Sequence, residues 1–96
     1  MIVRIMGEGQ FEIDDEVAKG LHELDEQAEQ ALEAGDADRL GELLQRMAGA
    51  VRTNGMRLAD EDLSPSEGIV PPPDLSLEEA RELFEGEGLI PDLPAT

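Results

Sequence analysis

The side chains that could carry chemistry in this chain are few and do not form a recognisable catalytic set. His22 is the single histidine, and neither a cysteine nor a nearby serine accompanies it as a nucleophile. Asp60-Glu61-Asp62 lacks the alternating acidic ladder and the distal glutamate of a calcium loop. Gly7 and Gly9 form only a fragment of a phosphate-binding loop. The residues therefore predict a non-enzymatic protein without a catalytic, cofactor-binding or metal-binding site.

The charges are numerous and unevenly distributed. The formal net charge is −17, from 24 acidic and 7 basic residues. Residues 14–35 contribute −7, whereas residues 36–55 are neutral because Arg39, Arg46 and Arg52 balance three acids. Three arginines spread along one helix do not converge on an anion, so we expect them to soften the repulsion from the acidic segment before them. Because the chain as a whole repels phosphate, nucleic acid and anionic lipid are poor direct partners.

Composition also bears on the compartment. The chain has no cysteine, which excludes disulfides, thiolate catalysis and Cys-ligated zinc. Its N-terminal apolar run is too short for a signal peptide, and no stretch reaches the length of a membrane span. We therefore predict a cytoplasmic protein.

The first half of the chain has clear secondary-structure signals. Two β-prone runs flank Gly7-Glu8-Gly9, which predicts a β-hairpin over residues 1–13. Apolar residues spaced by three and four predict a helix over residues 15–34 and a second over residues 37–53. The acidic caps before each helix and the short connection at Gly35 favour an antiparallel αα-hairpin.

The second half is rich in proline and turn residues. We expect residues 56–75 to be extended or loop, and residues 77–85 to form a short helix that begins with a Ser76–Glu79 capping box. Residues 92–96 are predicted to be a frayed tail. The predicted fold is a single α+β domain over residues 1–91. In it an N-terminal β-hairpin packs on the αα-hairpin, with a Pro-rich C-terminal segment and a short third helix.

Two similar segments bracket that short helix: Gly68-Ile69-Val70-Pro71 and Gly88-Leu89-Ile90-Pro91. Proline stiffens each aliphatic pair in an extended form that a partner could bind. The predicted partner-binding residues are Ile69, Val70, Pro71, Pro72, Pro73, Leu89, Ile90 and Pro91. The alternative, which a small core favours, is that these pairs strap the short helix to the domain, and that a partner binds the surface they complete.

Several stretches together resemble a known family. They are the opening MIVRIMGEGQF (1–11), SPSEGIVPPPD (64–74), LEEAREL (77–83) and the terminal GLIP (88–91). They are similar to the PspA-associated family called PspAA. The resemblance implies a small non-enzymatic partner of phage-shock protein A, the coiled-coil protein that coats and protects stressed bacterial and archaeal membranes. It carries over no catalytic or cofactor residue.

The resemblance thus implies an adaptor or regulator in the envelope stress response, recruited to the inner face of the membrane only through its partner. A different class of function is an acidic nucleic-acid mimic that inhibits a basic protein. That function predicts carboxylates in phosphate-like rows, whereas the acids here are divided between the first helix and the C-terminal part of the chain.

Overall fold

In the part of the chain that the structure describes, a small mixed sheet and three helices build the fold. The computed structural model describes residues 1–59, 61–62, 64–84 and 89–90. The elements in chain order are β1 (Ile2–Ile5), β2 (Gly9–Glu12), α1 (Asp15–Glu33), α2 (Ala37–Asn54), β3 (Met56–Arg57), β4 (Gly68–Val70) and α3 (Leu77–Phe84). The predicted α+β class, with two N-terminal strands, two packed helices and a short third helix, is confirmed.

The N-terminal strands form a tight antiparallel hairpin. Val3 of β1 lies opposite Phe11 of β2, so both side chains point to the same face of the sheet. Gly7 and Gly9 in the turn have φ values of 88° and 131°. These positive values are the reason for glycine at both positions, since a side chain would be strained there.

Two further strands extend the hairpin to the order β3-β2-β1-β4. β3 pairs antiparallel with β2, and β4 pairs parallel with β1, where Val3 lies beside Gly68 and Ile5 beside Val70. The parallel pairing places residues 68–70 directly against the first strand of the chain. The sequence contains no sign of this pairing, because a three-residue strand is too short to show a period.

The helices begin at side chains that accept from their first free N–H groups. Asp14 Oδ1 accepts from Val17 N at 2.9 Å, and Asp36 Oδ1 accepts from Arg39 N at 3.0 Å. Gly35, with φ of 72°, turns the chain between α1 and α2. The helices are therefore packed side by side as an antiparallel pair.

The core lies between the helices and one face of the sheet. Its fully buried side chains come from all layers: Val3 from β1, Leu21 from α1, Leu40, Leu43, Leu44, Met47 and Val51 from α2, Val70 from β4, with Pro71, Leu89 and Ile90 from the C-terminal third. The two phenylalanines, Phe11 and Phe84, are also buried there. Residues from the chain's last third are thus part of the same core as the helices.

Candidate functional site

The two aliphatic segments that the sequence singles out meet in the structure. Ile69 N donates to Leu89 O at 3.1 Å, so residues 89–90 lie along the edge of β4 that faces away from β1. Val70 is fully buried, and Leu89 and Ile90 are 2% and 0% exposed. Pro91, the last of the predicted partner-binding residues, lies outside the described residues.

The prolines between these segments differ in exposure. Pro71 is buried, Pro72 is half-buried and Pro73 is exposed. The stretch passes close to α2, because a Cβ at Gly41 would lie 3.0 Å from the Pro73 carbonyl oxygen. Of the predicted partner-binding residues in the described part of the chain, Ile69, Pro72 and Pro73 are therefore accessible at the surface. Their contact with a partner stays a prediction.

A buried carboxylate on α1 holds the second segment. Asp25 is 4% exposed. Its Oδ2 accepts from Ile90 N at 2.9 Å and from Leu89 N at 3.1 Å, and its Oδ1 lies 3.2 Å from Leu89 N. Burial raises the pKa of the Asp25 carboxyl, while the two backbone N–H groups and nearby His22 act in the opposite direction. The carboxylate thus offsets its desolvation by accepting from two backbone donors.

His22 holds the same segment from one turn earlier on α1. Its Nδ1 lies 3.0 Å from Ile90 O, and since a carbonyl oxygen only accepts, Nδ1 is the donor. Its Nε2 lies 3.0 Å from Glu26 Oε1. Both ring nitrogens therefore face acceptor oxygens, and the backbone of Ile90 is held at its N–H and at its C=O.

A glycine in β4 makes room for the segment. A Cβ at Gly68 would lie 2.9 Å from Ile90 Cδ1 and 3.4 Å from Leu89 O. Glycine at this position thus allows the pair to lie close to the strand. We call the space bounded by His22, Asp25, Gly68 and Ile69 the α1–β4 slot.

The other face of the sheet carries an exposed arginine beside the slot. Arg4 alternates with buried Val3 and Ile5, so it points away from the helices. It lines a shallow concavity of about 390 Å³ together with Ser66, Glu67, Gly68, Ile69 and Leu89. Gln10 binds the neighbouring loop, since its Nε2 donates to Ser64 O and to Ser66 Oγ. The half-exposed Ile69 thus belongs to a surface that also contains a positive charge.

Arg39 and Arg52 of α2 have separate partners. Arg39 lies 3.6 Å from Glu42 of its own helix and 3.4 Å from Gln27 of α1. Arg52 instead pairs with Glu8 in the hairpin turn, and the hydrogen bond from Arg52 lowers the pKa of Glu8. The expectation that these arginines soften the repulsion from α1 is therefore wrong for Arg52, whose partner lies in the hairpin turn.

The described residues lack both a metal-binding cluster and a membrane-spanning helix. Residues 1–59, 61–62, 64–84 and 89–90 contain no group of three or more His, Cys, Asp or Glu side chains arranged to hold a metal ion. Asp60 of the acidic triplet lies outside these ranges. Within the same ranges, no helix is long and apolar enough to cross a membrane.

Comparison with known families identifies the family of this chain. A sequence model of the family PspAA, described as PspA-associated protein, matches residues 1–92. The chain belongs to the PspAA family. The match spans both aliphatic segments and every residue that forms the slot, and it confirms the resemblance seen in the sequence. PspAA is a family of associated proteins and is not a known enzyme family. Searches of curated proteins and of solved structures give no significant match.

Sequence reasoning missed the part that α1 plays in this site of the PspAA chain. Asp25 follows Leu21 by four residues and precedes Ala28 by three, so it occupies a position of the apolar stripe. An acid at a position that faces the core is the signal that could have identified it, because a buried carboxylate needs donors. Because the chain has 24 acidic residues, the one at this position does not stand out in the sequence.

Proposed function

We propose that this protein is a small non-enzymatic adaptor or regulator that docks on phage-shock protein A during envelope stress. The observation that carries the proposal is the family match over residues 1–92, whose description names association with PspA. In this proposal the protein works in the cytoplasm. It reaches the inner face of the membrane through its partner, a coiled-coil protein.

Charge supports a basic docking surface on that partner. Seven carboxylates on or next to α1 are exposed: Asp14, Asp15, Glu16, Glu23, Glu26, Glu29 and Glu33. Lys19 is the single basic residue in the same stretch. Complementary charge mainly raises the association rate and fixes orientation, so the acidic helix would steer the encounter.

Short-range contact would then come from the surface next to the slot. Ile69, Pro72 and Pro73 are the accessible members of the predicted partner-binding set. The buried members Val70, Pro71, Leu89 and Ile90 hold this surface in place from within the core. A rigid surface of this kind loses little conformational entropy on binding.

Titration with purified phage-shock protein A at low and moderate salt tests the proposal. Ile69→Ser should weaken binding mainly by faster dissociation, whereas Ile2→Ser should leave it unchanged, since Ile2 is a partly exposed aliphatic on β1 away from the slot. Glu23→Gln with Glu29→Gln should slow association. The same charge change at Glu78 and Glu82 of α3 is the matched control. Absence of binding by the wild-type chain at low salt would refute the proposal.

A further inference from the structure

The backbone of the Leu89–Ile90 pair is held at every polar group. Its two N–H groups donate to Asp25, the Leu89 carbonyl accepts from Ile69 N, and the Ile90 carbonyl accepts from His22. Two of these partners are side chains of a helix and one is the edge of a strand. Two consecutive N–H groups that converge on one carboxylate require a bend in the backbone, and residues 89 and 90 form such a bend.

The side chains of the pair also fit closely into the slot. Leu89 and Ile90 are almost fully buried, and Ile90 Cδ1 occupies space that a side chain at position 68 would fill. The same hypothetical Cβ at Gly68 would lie 3.5 Å from Val3 Cγ2, so β1 lines the slot as well. The slot therefore fits a bent segment that carries two neighbouring aliphatic side chains.

We propose that the α1–β4 slot is a peptide-binding site for a bent aliphatic pair, and that the chain's own Leu89–Ile90 fills it in cis. None of the contacts depends on the covalent connection of the pair to the rest of the chain. A segment of the same pattern, supplied in trans, would form the same hydrogen bonds and compete against the high effective concentration of the tethered segment. This inference is independent of the docking proposed for phage-shock protein A.

The experiment uses the full-length chain with Leu89→Ser and Ile90→Ser, titrated with a synthetic peptide of residues 85–96. The peptide should bind this variant and raise its melting temperature. The same peptide with serine at positions 89 and 90 should not bind. Adding Asp25→Asn to the receptor should weaken binding about tenfold, since one acceptor of a charge-assisted hydrogen bond is lost. Glu82→Gln, an exposed change on α3, should leave the affinity unchanged.

A second measurement covers the case in which the double variant does not fold. The nitrogen-15-labelled wild-type chain is titrated with excess unlabelled peptide, and the amide signals of Leu89 and Ile90 are followed. Displacement of the resident pair should shift these two signals. Leu89→Ala in the labelled chain should lower the peptide concentration required, because this change weakens the resident segment and leaves the peptide intact. Lack of peptide binding in both experiments would overturn the proposal. Equal binding of the serine peptide, or an unaltered affinity after Asp25→Asn in the receptor, would overturn it too.

Discussion

Replacing Asp25 by alanine tests whether the buried carboxylate stabilises or destabilises the fold. Two effects oppose each other. Burial of the carboxylate is unfavourable, as the raised pKa of Asp25 indicates, while its oxygens accept from two buried N–H groups at 2.9 and 3.1 Å. An unpaired buried donor costs about 1–3 kcal/mol, so Asp25→Ala leaves two such costs, reduced by relief of the carboxylate's desolvation. We expect a net loss of about 2–4 kcal/mol at pH 7.

The asparagine variant should fall between alanine and wild type. An amide oxygen at the Oδ2 position would keep both hydrogen bonds, but the amide nitrogen would then lie at the Oδ1 position, 3.2 Å from Leu89 N. Two donors would face each other there. We expect Asp25→Asn to lose about 1–2 kcal/mol, which is the scale of one hydrogen bond made to a charged group.

The pH dependence follows from the raised pKa of Asp25. The folded chain binds this proton more tightly than the unfolded chain does. The stability contributed by proton uptake is therefore fully present below the unfolded pKa of about 3.9, and it is lost as pH rises through the folded pKa. Because alanine and asparagine do not titrate, the deficit of both variants relative to wild type should widen as pH falls from 7 toward 4.

Urea denaturation at pH 7, 6 and 5 measures these differences from the midpoint at constant slope. Glu23→Ala and Glu23→Gln are the matched controls on the exposed face of α1, and they should stay within about 0.5 kcal/mol of wild type. An Asp25→Ala variant as stable as wild type or more stable would show that desolvation outweighs the hydrogen bonds, and the reasoning would be wrong. A deficit that narrows on acidification would contradict the direction of the pKa shift.

Four other predictions concern the rest of the molecule. A Cβ at Gly55 would lie 2.6 Å from the Val51 carbonyl oxygen, so Gly55→Ala should cost about 2–3 kcal/mol in denaturant titration. Gly49→Ala in open space should instead gain about 1 kcal/mol. Gln10→Ala removes the bonds to the 64–66 loop, which should cost about 1–2 kcal/mol and speed amide exchange there. The melting temperature should rise from low to moderate salt, because self-repulsion of a −17 chain is screened over about 10 Å at 0.1 M; a flat or falling profile would contradict this.

The parts of the fold that sequence predicts are those fixed by neighbours along the chain. Asp14 and Asp36 are helix caps whose partners lie three residues later, and Gly7 and Gly9 are required by a local turn. The capping box is equally local, since Glu79 N donates to Ser76 Oγ at 3.1 Å. Because each of these contacts spans only a few residues, its pattern is visible in the sequence.

The slot could not be predicted in the same way, because its contacts join distant parts of the chain. Asp25 and Leu89 are 64 residues apart, and Gly68 of β4 pairs with Val3 near the N-terminus. The aliphatic pairs themselves were visible, and the idea that they pack on the domain agrees with the burial of Val70, Leu89 and Ile90. The residue that binds their backbone was not visible. A carboxylate that accepts from backbone N–H groups has no complementary side chain that would mark it in the sequence.

The interactions in the slot respond to salt differently from the exposed charges of the molecule. Asp25 is buried and accepts from neutral backbone groups, so dissolved ions screen its interactions only weakly. The exposed carboxylates of α1 act through water, where attraction to a basic partner falls as salt is added. Ionic strength therefore distinguishes the two proposals. Steering toward phage-shock protein A depends on the charge that salt screens, whereas binding of an aliphatic pair in the slot depends on hydrogen bonds and burial that salt leaves in place.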